Sequence, residues 1–133
     1  MLDNSEPKIY LGVDWGSRRI GVAIASSETK LAVPLQTVAN VSELVALSLS
    51  EEADFIVLGQ PFKMASRELE LNPEFAKFLE ELRKRLQIPV LLYDERLSSL
   101  AADALPGDKK DKVGRDEIAA MIILQNYLDS SGA

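Results

Sequence analysis

The chain has 133 residues, no cysteine and no histidine, an apolar share of 47% and a formal net charge of −6. Its length predicts one domain, residues 1–133, with a full hydrophobic core and frayed termini at 1–7 and 130–133. The missing residue types exclude disulfides, thiolate or imidazole metal sites and a histidine base, and the acidic balance argues against a simple electrostatic nucleic-acid binder.

The N-terminus is polar and acidic, without the basic and apolar regions of a signal peptide. The longest apolar runs have the length of a strand and are far shorter than a membrane span. We therefore expect a cytoplasmic protein that does not enter a membrane.

The first half of the chain predicts a three-stranded antiparallel meander and a helix. Strands are expected at 9–14, 20–26 and 31–38, and the helix from about 41 to 52. Gly16 and Ser17 supply the first turn, and Pro34 indicates that the third strand lies at a sheet edge. Asn40 suits the helix N-cap, with Glu43 three residues on as its capping partner.

The second half predicts two buried strands that alternate with helices. In chain order we expect a strand at 54–59, a loop at 60–71, a helix at 73–86, a strand at 88–93, a short helix at 98–105, a charged loop at 108–113 and a last helix at 115–129. Right-handed crossovers make the last two strands parallel to the first. We therefore predict an α/β fold, one five-stranded mixed sheet with helices on both faces.

Acidic residues fall at neighbouring ends of these elements. Asp14 ends the first strand, Asp94 and Glu95 follow the last one, and Asp116 lies in the first turn of the final helix. Ligand sites in open α/β sheets lie off the carboxyl ends of the strands, so three of these acids should converge. Because carboxylates without a basic partner repel one another, we expect a hard divalent cation there, Mg²⁺ or Mn²⁺. Such a site is typical of phosphodiester hydrolysis.

Each acid also has a simpler interpretation. Asp14 suits a turn that accepts backbone hydrogen bonds, Glu95 a solvated strand end and Asp116 a helix start that satisfies the macrodipole. Only the conjunction of the three favours a metal site. Side-chain alternation places just one of Asp94 and Glu95 on the site face, and the residues alone do not choose between them, or between Asp116 and Glu117.

Basic and polar residues near the same ends are candidate phosphate contacts, with a solvated surface as the alternative for each. They are Ser17, Arg18, Arg19, Lys63, Arg96 and Arg115. Lysines at 109, 110 and 112 suit either a phosphate clamp or a solvated loop. Trp15 has the ring needed to stack on a base, although packing against the protein is the simpler expectation.

Four segments carry a family resemblance: GVDWGSRRIGVAIAS at 12–26, VLGQPFKM at 57–64, YDERLSS at 93–99 and DEIAAMIILQNYL at 116–128. In this order and spacing, the chain resembles the YqgF/RuvX family of the RNase H-like superfamily. The resemblance implies an RNase H-like fold and a nuclease that matures the 5′ end of pre-16S ribosomal RNA. It further implies that Asp14, Glu95 and Asp116 bind one or two Mg²⁺ or Mn²⁺ ions. At 62–67, FKMASR departs from the leucine-asparagine pair and downstream glycine usual in the family.

Other functions stay open on sequence alone. A Holliday junction resolvase would use the same site chemistry on four-way DNA junctions and would require a dimer. The segment DWGSRRIGVAI also resembles the first phosphate loop of actin-like ATPases and sugar kinases, so a nucleotide-binding module is a further alternative. A non-catalytic nucleic-acid-binding module that keeps the fold without the activity is another. The expected partners are structured RNA, ribosome assembly intermediates or branched DNA, and the expected state is a monomer or weak homodimer.

Overall fold

The computed structural model describes residues 6–60, 73–94 and 112–131. The strands are β1 (Ile9–Trp15), β2 (Ile20–Ser26), β3 (Val33–Val38), β4 (Phe55–Gln60) and β5 (Val90–Asp94), and the helices are α1 (Val41–Ser50), α2 (Pro73–Arg85) and α3 (Lys112–Ser131). The loop predicted after β4 and the short helix predicted at 98–105 lie outside the described residues.

The five strands form one mixed sheet in the order β3-β2-β1-β4-β5. Strands β1, β2 and β3 pair antiparallel, whereas β4 pairs in parallel with both β1 and β5. This confirms the predicted meander with two added parallel strands, and it places β3 at an edge, as Pro34 indicated. The prediction of a buried last strand is wrong. Because β5 lies at the other edge of the described sheet, only Val90 among its residues is buried and Leu92 is 37% exposed.

Side chains alternate between two hydrophobic cores, one on each face of the sheet. Leu11 and Val13 of β1 lie in the core that also contains apolar residues of α1 and α2. Tyr10 lies in the opposite core, together with Ala120 and Leu124 of α3. Helices therefore cover both faces, as predicted, and α3 covers one face of β1 and β2.

The start of α1 follows the predicted capping pattern with one difference. The Asn40 Oδ1 atom accepts a hydrogen bond from the Glu43 amide at 2.9 Å, as an N-cap does. The Glu43 carboxylate accepts from the amide of Ala39, also at 2.9 Å, rather than from that of Asn40. The reciprocal bond is thus made one residue before the cap.

Helix α3 begins earlier than the sequence pattern predicted. It starts at Lys112 and not near 115, so part of the expected charged loop is helical, and it continues through Ser131. Asp116 therefore lies in the second turn and not in the first. Because the helix dipole acts mainly on the first turn, it gives a weak reason for an acid at this position. Although α3 is 20 residues long, no helix in the described part of the chain combines the length and apolarity needed to cross a membrane.

Candidate metal centre

The β1–β2 hairpin fixes the position of Asp14. Asp14 pairs with Gly21, and Trp15 pairs with Ile20, so residues 16–19 form the loop between the strands. A side chain at position 16 would lie 2.7 Å from the carbonyl oxygen of Arg19. Only glycine fits such a closed loop, which holds Asp14 near the very end of its strand.

The side chain of Asp14 points to the face covered by α3. Alternation along β1 places positions 10, 12 and 14 on one face. Tyr10 lies in the α3 core, and a Cβ atom added to Gly12 would meet α3, 2.6 Å from the Leu124 Cβ atom and 2.8 Å from the Ala120 carbonyl oxygen. Asp14 continues this row and is half-buried.

Helix α3 rests directly on the backbone of the sheet at two glycines, Gly12 and Gly21. A Cβ atom added to Gly21 would overlap the carbonyl group of Asp116 and lie 3.0 Å from the Asp116 Cβ atom. Because Gly21 pairs with Asp14 across the hairpin, this contact places Asp116 opposite Asp14 on the same face. The structure thus brings together two of the predicted acids.

The spacing of the two aspartates suits one shared cation. Directly paired residues on adjacent strands have Cβ positions about 4.5–5.5 Å apart, and a Cβ atom at Gly21 would lie 3.0 Å from that of Asp116, so the Cβ atoms of Asp14 and Asp116 are at most about 8.5 Å apart. A carboxylate oxygen reaches Mg²⁺ at about 2.0–2.1 Å, and side chains of this length can meet at one ion across such a gap.

Asp116 already has a basic neighbour. The Nε atom of Arg19 lies 3.2 Å from the Oδ2 atom of Asp116, and the two side chains are 46% and 28% exposed. The Oδ2 atom itself is buried and has no hydrogen-bond partner in the described part of the chain, so its contact with Arg19 is an ion pair without hydrogen-bond geometry. The expectation of acids without a basic partner is therefore wrong for Asp116, because the hairpin loop delivers Arg19 to it.

The third predicted acid, Glu95, lies outside the described residues. Within residues 6–60, 73–94 and 112–131, no three acidic side chains are grouped closely enough to hold a metal ion. Tyr93 packs against the α3 core, so its neighbour Asp94 faces the other side of the sheet. Burial, with a smaller contribution from the Asp94 carboxylate, raises the pKa of the Tyr93 phenol. Of the two acids that end the last strand, Asp94 is thus directed away from Asp14 and Asp116.

The predicted phosphate contacts divide into described and undescribed residues. Ser17, Arg18 and Arg115 are exposed at or near the candidate centre. Lys63 and Arg96, like the lysines at 109 and 110, lie outside the described residues. Trp15 packs against Phe75 and Phe78 with ring centroids 5.7 and 6.3 Å away, which agrees with the simpler expectation for this residue.

Sequence reasoning missed the two glycines that seat α3, Gly12 and Gly21. A glycine inside a strand often marks a close approach of another backbone, and both positions lie inside apolar strands. That signal was present in the GVDWGSRRIG segment. It could have identified the face on which the last helix packs.

Comparisons with known proteins give the family. The family model described as "RuvX: Holliday junction resolvase" matches residues 8–130. A protein of Roseiflexus sp. named "Putative pre-16S rRNA nuclease" is 37% identical, over 96% of this chain and 98% of its own. Relatives of the same name from Orientia tsutsugamushi and Chlamydia felis are 35% and 34% identical, over 91% and 93% of this chain and 83% and 92% of theirs.

Solved structures give the fold. The structure of T. thermophilus RuvC in complex with a Holliday junction substrate superposes with a TM-score of 0.62, over 94% of this chain and 96% of that one, at 13% identity. A second Thermus thermophilus RuvC structure gives a TM-score of 0.58 over 93% and 96%, also at 13% identity. The mixed sheet with helices on both faces is the predicted RNase H-like fold, and the chain belongs to the RuvX (YqgF) family.

Proposed function

We propose that this chain is a metal-dependent nuclease that hydrolyses phosphodiester bonds in the 5′-end maturation of pre-16S ribosomal RNA. One observation carries the proposal, namely the direct contact of the Asp116 backbone with Gly21, which pairs with Asp14. Two carboxylates held on one side of a strand end are costly unless a cation compensates them. The name shared by relatives from three bacteria, "Putative pre-16S rRNA nuclease", supports the RNA substrate.

The residues present fit a hard divalent ion. Carboxylate oxygens are the ligands that Mg²⁺ and Mn²⁺ prefer, and the buried Oδ2 atom of Asp116 makes no hydrogen bond within residues 6–60, 73–94 and 112–131. In the proposal Asp14, Asp116 and Glu95 hold one or two ions. Glu95 is assigned because alternation directs Asp94 to the other face, and because the family resemblance points to the same acid. When bound, the metal supplies an activated water and neutralises charge on the scissile phosphate.

The remaining roles fall to residues of the chain around the acids. Arg18 and Arg115 are exposed and would contact phosphates on either side of the scissile bond, and the Ser17 hydroxyl would donate to a phosphate oxygen. Lys63 and Arg96 are proposed to add to the same surface. These contacts would bind and orient the RNA backbone, and they form a local basic rim on a protein whose formal net charge is −6.

The test is cleavage of a short 5′-extended pre-16S RNA by the whole protein, in Mn²⁺ and in EDTA. We expect cleavage that requires the metal and is lost in Asp14→Asn, whose side chain keeps the shape of aspartate without its charge. Cleavage that persists in EDTA, or that survives in Asp14→Asn, would contradict the proposal. Because a purified protein can require its assembly intermediate, isolated pre-30S particles serve as the second substrate.

A junction resolvase is the second candidate, and one observation favours it. The matching family model is described as a Holliday junction resolvase, and the similar fold of T. thermophilus RuvC was solved with a junction substrate. A four-way DNA junction assayed beside the RNA separates the two functions. Symmetric paired nicks by a dimer would favour the resolvase, whereas a protein that is monomeric at assay concentration cannot place two centres on one junction.

A further inference from the structure

One contact at the candidate centre joins a loop residue to a proposed metal ligand. The Arg19 guanidinium reaches from the β1–β2 loop to the carboxylate of Asp116 on α3, with 3.2 Å between Nε and Oδ2. Arg19 lies in the loop directly before β2, two residues from Gly21, and Gly21 is in contact with the Asp116 backbone. The backbone contact that places Asp116 beside Asp14 therefore also places it within reach of Arg19.

The atom that Arg19 faces is the one a metal ion would need. Among the described residues, Asp116 Oδ2 is buried and accepts no hydrogen bond, and the charge of the Arg19 guanidinium compensates its lone pairs. A divalent ion coordinated by Asp14 and Asp116 carries twice that charge and takes the same oxygen directly. The Arg19 guanidinium and the divalent ion cannot both bind Asp116 Oδ2 strongly. The metal bond uses the lone pair of the oxygen, and the two positive charges repel each other.

The ion pair is weak enough to be displaced. Its partners are 46% and 28% exposed, and ion pairs at such exposure contribute little to stability. The loop residues 17–19 are all exposed, so the arginine can leave the carboxylate without uncovering the core. Displacement therefore costs the metal a small part of its binding energy.

We propose that Arg19 is the resident counter-ion of Asp116 in the metal-free protein and competes with the divalent ion for that carboxylate. The inference rests on the proposed function, since it takes Asp14 and Asp116 as the metal ligands. Arg19 then has two successive roles, one before and one after the metal binds. It compensates the buried oxygen while the centre is empty, and it is released to the substrate side when the metal binds.

Neutralising Arg19 tests the competition, and Arg18 provides the matched control. Both arginines lie in the same loop and carry the same charge, but the described ion pair to Asp116 belongs to Arg19. We would titrate Mn²⁺ into wild type, Arg19→Gln, Arg18→Gln and Asp14→Asn by calorimetry. We expect Arg19→Gln to bind Mn²⁺ about two- to five-fold more tightly than Arg18→Gln, the factor expected from the loss of a weak ion pair.

Thermal stability gives a second reading that does not involve catalysis. Without metal, Arg19→Gln leaves the buried carboxylate oxygen uncompensated, so its Tm in EDTA should fall below that of Arg18→Gln. Saturating Mn²⁺ should remove the difference, because the metal then compensates the same oxygen. If Arg19→Gln does not fold, Mg²⁺ titration of the wild type by NMR replaces it, with the Nε–H resonance of Arg19 expected to shift with saturation and that of Arg18 expected not to.

The outcomes separate the two proposals. Equal Mn²⁺ affinities for the two arginine variants, with binding lost in Asp14→Asn, would overturn the competition and leave the metal centre standing. An Arg19 resonance unchanged at saturating Mg²⁺ would have the same meaning. Unchanged Mn²⁺ binding in Asp14→Asn, or no binding by the wild type, would contradict the centre itself and the competition with it.

Discussion

Gly21 and Asp116 are in backbone contact, and the helix that carries Asp116 could not approach the sheet as closely if position 21 had a side chain. A Cβ atom there would overlap the Asp116 carbonyl group. Since Gly21 pairs with Asp14, this glycine determines both how closely α3 packs on the sheet and how far Asp116 lies from Asp14. Stability and the geometry of the candidate centre therefore depend on the same contact.

Gly21→Ala should lower both stability and activity. The added methyl group forces α3 away from β2, and overpacking of this kind typically costs about 1–3 kcal/mol. The larger separation of α3 from β2 also increases the distance between Asp116 and Asp14. We expect a lower midpoint in urea denaturation and weaker Mn²⁺ binding by the protein that remains folded.

Gly114→Ala is the matched control, because it makes the same substitution in α3 where a Cβ atom would meet none of the described residues outside its own helical turn within 4 Å. Alanine is the better helix former, so this variant should be unchanged or more stable by up to about 1 kcal/mol. If Gly21→Ala behaved like Gly114→Ala, the close seating of α3 would not position the site.

Glu95→Gln and Asp94→Asn should differ although the residues are neighbours. Asp94 faces away from the α3 side, so its neutralisation should leave cleavage within a few-fold of wild type. Loss of the proposed ligand Glu95 should reduce cleavage at least about 100-fold, since stabilisation by the metal is worth several kcal/mol. Single-turnover rates in Mn²⁺ would measure this. The reverse order of effects would show that the third acid has been assigned to the wrong residue.

Gln125 ties α3 to the β2–β3 connection. Its Oε1 atom accepts from the Ala32 amide at 2.9 Å, and its Nε2 atom donates to the Lys30 carbonyl at 3.0 Å. Gln125→Ala leaves both backbone groups without this partner and should cost about 1–3 kcal/mol. Glu117→Gln, on the same helix, is a suitable comparison in urea denaturation. An equal effect of the two variants would mean that the two hydrogen bonds of Gln125 contribute nothing to stability.

Two tyrosines should make the protein sensitive to alkali. Burial, as the main cause, raises the pKa of the Tyr10 and Tyr93 phenols above the ordinary value of 10.0. The folded state therefore favours the neutral phenols, and this contribution is complete below pH 10 and lost as pH rises through the folded-state pKa. Tyr93→Phe should reduce the loss of stability above about pH 10, measured by urea denaturation across that range. A loss as steep as in wild type would contradict this assignment.

The sequence patterns predicted the sheet well because each strand carried its own local signal. Branched apolar runs gave the strands, Pro34 marked an edge, and Asn40 marked a helix start that the structure confirms. The start of α3 was placed too late because the preceding residues are charged and Gly114 is a poor helix former. The structure is helical from Lys112 onwards despite that local preference.

The candidate centre was less predictable because its contacts join distant parts of the chain. Chain topology was enough to expect Asp14 and Asp116 near one another. The Arg19–Asp116 ion pair depends on where α3 crosses the hairpin, and no local pattern specifies that crossing. Likewise, the burial of β5 depends on what lies beside it in the sheet and not on its own apolar residues.

The most direct test of the shared metal centre is a crystal structure of the protein grown with Mn²⁺, read from the anomalous scattering of the metal. We expect a peak within coordination distance of carboxylate oxygens of both Asp14 and Asp116, with the Arg19 guanidinium withdrawn from Asp116. A peak bound by other residues, or no peak between these two acids at saturating Mn²⁺, would contradict it.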